Sequence, residues 1–146
     1  MQKSASLSLA HAQMILSKIP FFREFTPSER ERVAENQTAF VIARPKEMIV
    51  HKGDEGRSFY IMLSGTASVL CPNSAEENEL VGLEPGDVFG EIAFLSNSPR
   101  TTDVKAKEVC ILMVIDRAMM AGLRVDIREK IKDQLIYKLV QRILSQ

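Results

Sequence analysis

With 19 Lys and Arg against 19 Asp and Glu, the 146-residue chain is neutral overall. It offers no electrostatic reason to expect a nucleic acid or an anionic membrane as partner, so any anion site has to be local. The length is that of one domain, long enough to bury about two-thirds of its unfolded surface, and its longest apolar runs, Phe59 to Leu63 and Val109 to Ile115, fall far short of a membrane span of about 20 residues. No basic-then-apolar leader opens the chain, and a cytoplasmic protein is expected.

Leu9, Ala12, Met14, Ile15 and Ile19 fit a helical stripe that should stop near Pro20, because the residue before a proline disfavours helical backbone. Thr26-Pro27-Ser28-Glu29 has the layout of a capping box with proline at the first helical position, which predicts a helix from about Pro27 to Asn36. From Ala39 to Ile115 the pattern changes. Short β-rich runs, among them Met48 to Val50, Phe59 to Leu63, Ala67 to Leu70 and Val109 to Ile115, are separated by Gly, Pro, Asn and Asp clusters. This is the pattern of a compact antiparallel β-barrel or jelly roll. Cys71 to Asn78 is polar and reads as a hairpin loop. Beyond the roll, Asp116 is placed to cap a short helix ending near Gly122, and Asp126 with Glu129 suggests a second capping box for a helix running to about Leu144. A helix-turn-helix reader needs about seventy further residues, so no nucleic-acid contact is expected within this chain.

Cys71 and Cys110 are the only cysteines. Their spacing suits neither a metal site nor a disulfide framework, and they read as reduced thiols. His11 and His51 are too far apart in sequence to form the clustered imidazoles of a metal-dependent barrel enzyme. No metal, no cofactor and no catalytic residue is therefore assigned, and a cupin-like metal-dependent enzyme is disfavoured.

The chemistry concentrates between Phe89 and Thr102, which reads Phe-Gly-Glu-Ile-Ala-Phe-Leu-Ser-Asn-Ser-Pro-Arg-Thr-Thr. Gly90 can bring the backbone close to a ligand because it carries no Cβ. Glu91, Ile92 and Ala93 can start a short helix whose first amides have no internal partner and sit at the positive end of its dipole, a fit for a phosphate oxygen. Arg100 supplies a permanent, planar counter-charge able to give two parallel hydrogen bonds. The plain alternative is a surface Glu91–Arg100 pair at the end of a strand, worth at most about 1 kcal/mol.

The stretch Phe-Gly-Glu-Ile-Ala, with Pro-Arg and small residues following, closely resembles the phosphate-binding cassette of the cyclic nucleotide-binding domain family. Gly53-Asp54-Glu55-Gly56, Ser64-Gly65 and Pro85-Gly86-Asp87 resemble the family's turns in the same order, and the likeness covers roughly Ile15 to Tyr137. It implies a mainly β double-stranded β-helix, or jelly roll, with flanking helices. Residues 1–36 would hold N-terminal helices, 39–115 the eight-stranded roll with the cassette at 89–102, and 116–146 the hinge and lid helices of one domain.

The resemblance also implies a ligand, cyclic AMP or cyclic GMP, and a regulatory receptor rather than an enzyme. In this reading Arg100 pairs with the exocyclic phosphate oxygens and Glu91 accepts from the ribose 2′-hydroxyl. The amides of Gly90, Ala93 and Thr101 complete the cradle, with Ile92 and Thr102 beside them. A hydroxyl after the arginine, here Thr101, is frequent in cyclic GMP binders and also occurs in cyclic AMP binders; cyclic AMP is favoured. Thr102, where alanine is common, and Lys46, where glycine is common before a glutamate like Glu47, depart from the family pattern, and Lys46 puts the shape of its turn in question. A degenerate interaction module that has lost its ligand is the remaining alternative.

The last helix carries Leu135, Ile136, Tyr137, Leu139, Val140, Ile143 and Leu144, an apolar arc wider than one domain needs. It fits either a lid packed on its own barrel or, as in family dimers, a helix that also meets a second chain. An effector protein is a further partner of unstated identity.

Overall fold

The structure, a computed structural model, describes residues 2–3, 7–72 and 78–145. Helix α1 (Leu9–Lys18) starts at Ser8, whose side chain accepts from the His11 amide, and ends before Pro20. Helix α2 (Pro27–Ala34) has the expected capping box: Thr26 Oγ1 accepts from the Glu29 amide while the Glu29 carboxylate accepts from the Thr26 amide.

The strands follow as β2 (Phe40–Ala43), β3 (Met48–Val50), β4 (Ser58–Ser64), β5 (Ala67–Leu70), β6 (Glu79–Leu83), β7 (Val88–Phe89), β8 (Val104–Ala106) and β9 (Cys110–Asp116). Together with a two-residue β1 (Gln2–Lys3) they form two antiparallel sheets, ordered β1-β2-β9-β4-β7 and β3-β8-β5-β6. The eight-stranded roll expected from the sequence is present, and β1 adds itself to the edge of β2. The hairpin between β5 and β6 is closed by the Cys71 amide donating to the Asn78 carbonyl at 2.8 Å; residues 73–77 of its loop lie outside the described residues.

The continuous apolar runs of β4 and β9 follow from burial on both faces. Phe59, Ile61 and Leu63 join Met113 and Ile115 in a core shared with the helices, where Leu16, Phe21, Phe22, Ile127, Ile131 and Leu135 pack. Tyr60, Met62, Cys110 and Leu112 point the other way and meet Val50, Leu83, Phe89 and Val104 between the sheets. Alternation along two strands thus makes the central sheet the floor of the helices and one wall of the roll. Burial raises the pKa of the Cys110 thiol, which keeps it protonated and inert.

Asp116 caps α4 (Arg117–Gly122), accepting from the Met119 amide at 2.8 Å. The next expected cap is corrected: α5 (Val125–Leu144) begins after Arg124 with no side-chain cap. The Asp126 carboxylate that would have served instead accepts two hydrogen bonds from the Arg124 guanidinium, at 2.8 and 3.1 Å. Asp126 lies inside the helix, at its second position, and its carboxylate there serves the first turn and Arg124 rather than an N-cap.

Candidate functional site

Between β7 and β8 the chain turns out of the roll and back. Gly90, at φ +78°, starts the excursion, and α3 (Glu91–Ser96) follows it. A Cβ at Gly90 would lie 2.7 Å from Arg100 Nη1 and 3.1 Å from Tyr60 Cδ2, so glycine is required both by the left-handed backbone and by what passes over it. The first helical bond is the Phe94 amide to the Gly90 carbonyl; the amides before it have no partner within the helix.

The return leg is stitched to the β3–β4 loop. The Arg100 amide donates to Asp54 at 2.7 Å, the Gly53 amide to Arg100 at 2.9 Å and the Gly56 amide to Ser98 at 3.2 Å, with Glu55 bridged to Pro99. A Cβ at Gly56 would sit 2.4 Å from the Ala93 Cβ, so this glycine lets the loop lie against α3. The Gly53–Gly56 signature and the Pro99-Arg100 step, far apart in sequence, are two halves of one support.

Arg100 is 6% exposed. Its Nη1 donates to the Gly90 carbonyl at 2.8 Å and its Nη2 to the Ser58 carbonyl at 2.5 Å, and its guanidinium lies 5.4 Å from the centroid of Tyr60, which stacks on Phe89. Glu91 is 1% exposed. Its Oε1 lies 2.6 Å from Arg142 Nη2 but outside hydrogen-bond alignment, so the contact is one of charge. Both groups are thus buried with separate partners, unlike a surface Glu91–Arg100 pair.

A cavity of about 270 Å³ brings together Gly90, Glu91, Ile92, Ala93, Arg100, Thr101 and Thr102, every residue singled out from the sequence. Its far wall is apolar: Val50, Val69, Val81, Leu83 and Val104, from β3, β5, β6 and β8. Sequence reasoning missed that wall and also missed Arg142. The signal for Arg142 was present: it stands seven residues after Leu135, on the helical face already carrying Ile127, Ile131 and Leu135.

Two contacts tie the site's surroundings to the helices. Arg117 of α4 lies 4.6 Å from the centroid of Phe94 and donates to the Phe94 carbonyl at 2.5 Å, while Phe94 packs edge-on against Phe59. Lys130 of α5 donates to the Glu29 carboxylate at 2.6 Å and to the Glu24 carbonyl at 3.2 Å, holding α5 to the start of α2.

His11 and His51 are both exposed, and among the described residues there is no group of three His, Cys, Asp or Glu that could hold a metal. No helix among them is long and apolar enough to cross a membrane.

The turn at Lys46 keeps its shape without glycine. Lys46 adopts φ +70°, its amide donates to Ala106 at 2.8 Å, and the Glu47 amide donates to Arg44 at 3.0 Å.

Comparison with known proteins agrees with this architecture. A cAMP-dependent protein kinase regulatory subunit of Hypocrea atroviridis is 34% identical over 91 residues, covering 62% of this chain and 19% of that protein. A cGMP-dependent protein kinase of Toxoplasma gondii is 30% identical over 120 residues, covering 82% of this chain and 12% of the kinase. The chain therefore spans less than a quarter of either relative. A solved structure of PKAR CBD2 with Sp-2Cl-cAMPS bound superposes with a TM-score of 0.69 at 26% identity, covering 94% of this chain and 90% of that one. The family model for the cyclic nucleotide-binding domain matches residues 40–125, and the chain belongs to that family.

Proposed function

We propose that the chain is a regulatory module that binds a 3′,5′-cyclic nucleotide, cyclic AMP in preference to cyclic GMP, in the cavity beside α3. The observation that carries this is the convergence of a buried arginine, a buried carboxylate and a glycine-led helix start on one cavity with an apolar far wall. Arg100 faces the phosphate, Glu91 takes the ribose 2′-hydroxyl, the amides of Gly90, Ala93 and Thr101 cradle the anion, and Ile92 and Thr102 line its rim. Division of labour follows from charge. A carboxylate set against a phosphate is repelled unless it addresses the sugar, and the guanidinium neutralises the anion.

Base preference rests on the valine and leucine wall. Guanine presents a 6-carbonyl, an N1–H and a 2-amino group where adenine presents a 6-amino group and N1, so guanine has more polar groups to satisfy, and each one buried without a partner there costs about 1–3 kcal/mol. Of the hydroxyls lining the cavity, Ser98, Thr101 and Thr102, the one assigned to offset that cost is Thr101. The relatives include both cAMP-dependent and cGMP-dependent kinase proteins, so the preference needs its own measurement: calorimetry with both ligands should give tighter binding of cyclic AMP. Equal affinities would refute the preference, and no heat with either would refute the function.

The module acts as a receptor. Ligand favours the arrangement in which α4 and α5 close over the base, and an effector reads that shift. Tyr137, Val140, Ile143 and Leu144 of α5 are 53%, 46%, 67% and 78% exposed, which supports pairing of this helix with a second copy of the chain.

A further inference from the structure

The cavity holds a charged residue that the cassette does not supply. Arg142 stands on the last turn of α5, 51 positions after Glu91 in sequence, yet its Nη2 lies 2.6 Å from Glu91 Oε1. Beyond Leu135 only Lys138 and Leu139 are half-buried, and every residue from Val140 to Ser145 is exposed, so little packing holds the last turn down. The ion pair with the buried Glu91 adds to it.

The charged residues lining the cavity are Glu91, Arg100 and Arg142, one carboxylate against two guanidiniums. Without Arg142 that balance is zero, and a bound phosphodiester monoanion would lie beside an uncompensated buried carboxylate. With it, the cavity carries a net charge of +1 and matches a monoanion.

We propose, building on the cyclic-nucleotide reading, that Arg142 is an affinity-determining positioning residue: it neutralises Glu91 so that Arg100 is left to the phosphate, and in doing so it fastens the end of α5 over the ligand. The same pair that sets the charge of the cavity thereby makes closure of the last helix and ligand affinity one event. Glu91 keeps its other oxygen for the ribose hydroxyl, since a carboxylate accepts on both.

The test uses wild type, Arg142→Gln, Arg142→Lys and the double variant Glu91→Gln/Arg142→Gln, with cyclic AMP and 2′-deoxy cyclic AMP as probes in low salt and thermal melts to verify folding. Arg142→Gln should bind cyclic AMP at least about 10-fold more weakly, and Arg142→Lys should recover part of the loss. The double variant restores a net charge of +1 through Arg100 alone. It should bind the 2′-deoxy probe, which does not need Glu91, more tightly than Arg142→Gln does. A merely structural Arg142 would not give that reversal. Wild-type affinity in Arg142→Gln, tighter binding in it, or a double variant weaker than Arg142→Gln towards the 2′-deoxy probe would overturn the inference while the cyclic-nucleotide reading stands. Failure of wild type to bind cyclic AMP and cyclic GMP would overturn that reading and this inference with it.

Discussion

Replacing Arg100 by alanine tests the phosphate role and the architecture of the turn at once. Arg100 uses one donor on the Gly90 carbonyl and one on the Ser58 carbonyl, so three of its five N–H groups remain for a ligand. Losing the guanidinium removes the charge-assisted partner of a desolvated phosphate, a cost of roughly 2–5 kcal/mol by analogy with buried charge pairs, or about 30- to 4,000-fold in affinity. The two carbonyls lose charged donors as well, at roughly 1.5–3 kcal/mol for such a bond. Against a typical domain stability of about 5–15 kcal/mol the variant stays folded but melts earlier. Arg100→Lys keeps the charge, yet a single ammonium cannot span Gly90, Ser58 and a phosphate; it should melt near wild type and still bind weakly. Calorimetry at matched folded fractions decides. Wild-type affinity in a folded Arg100→Ala would refute the assignment of the guanidinium to the phosphate.

Glu91→Gln should weaken cyclic AMP and remove the disadvantage of the 2′-deoxy analogue seen with wild type; an equal penalty in both proteins, measured by competition, would contradict the ribose role. Lys46→Gly should stabilise the fold by about 0.5–1 kcal/mol, since the left-handed backbone at φ +70° costs a side chain about 1–2 kcal/mol and the looser unfolded glycine returns part of it; a lower midpoint in urea would count against strain there. The Lys130 ammonium and the Thr26 amide hold the Glu29 carboxyl below its ordinary value of 4.5. The stability it brings is therefore present above that value and disappears as pH falls through the lower folded one. Urea melts should show a steeper acid decline for wild type than for Glu29→Gln, and parallel curves would remove the pair from the account. Charged substitutions at Leu139 and Ile143 should turn a micromolar dimer into a monomer that still binds nucleotide; light scattering that finds wild type monomeric with and without ligand would end the pairing proposal.

The cassette was legible because its parts are local. A glycine, the helix start after it and an arginine at fixed spacing face one another through short-range geometry, and Gly90, Glu91 and Arg100 line one cavity as their order implied. The Thr26–Glu29 cap was legible for the same reason. Long-range requirements were not. Gly56 reads as an ordinary turn glycine until α3 is seen against it, and Val69 and Val81 look like half-exposed strand residues until the roll curves them into a wall. Asp126 had the right spacing for a cap, but the helix starts one residue before it and its carboxylate pairs with Arg124. The apolar arc of α5 leaves Tyr137, Val140, Ile143 and Leu144 exposed, and the cation on its buried stripe, Arg142, gains meaning only once Glu91 is in place.

The most direct test of the central claim is an amide NMR titration of the wild-type protein with cyclic AMP. Saturable shifts at one ligand per chain, largest at the amides of Gly90, Ala93 and Thr101 and at the Arg100 side chain, are the predicted result. Absence of saturable shifts there, or shifts confined to another face of the roll, would contradict it.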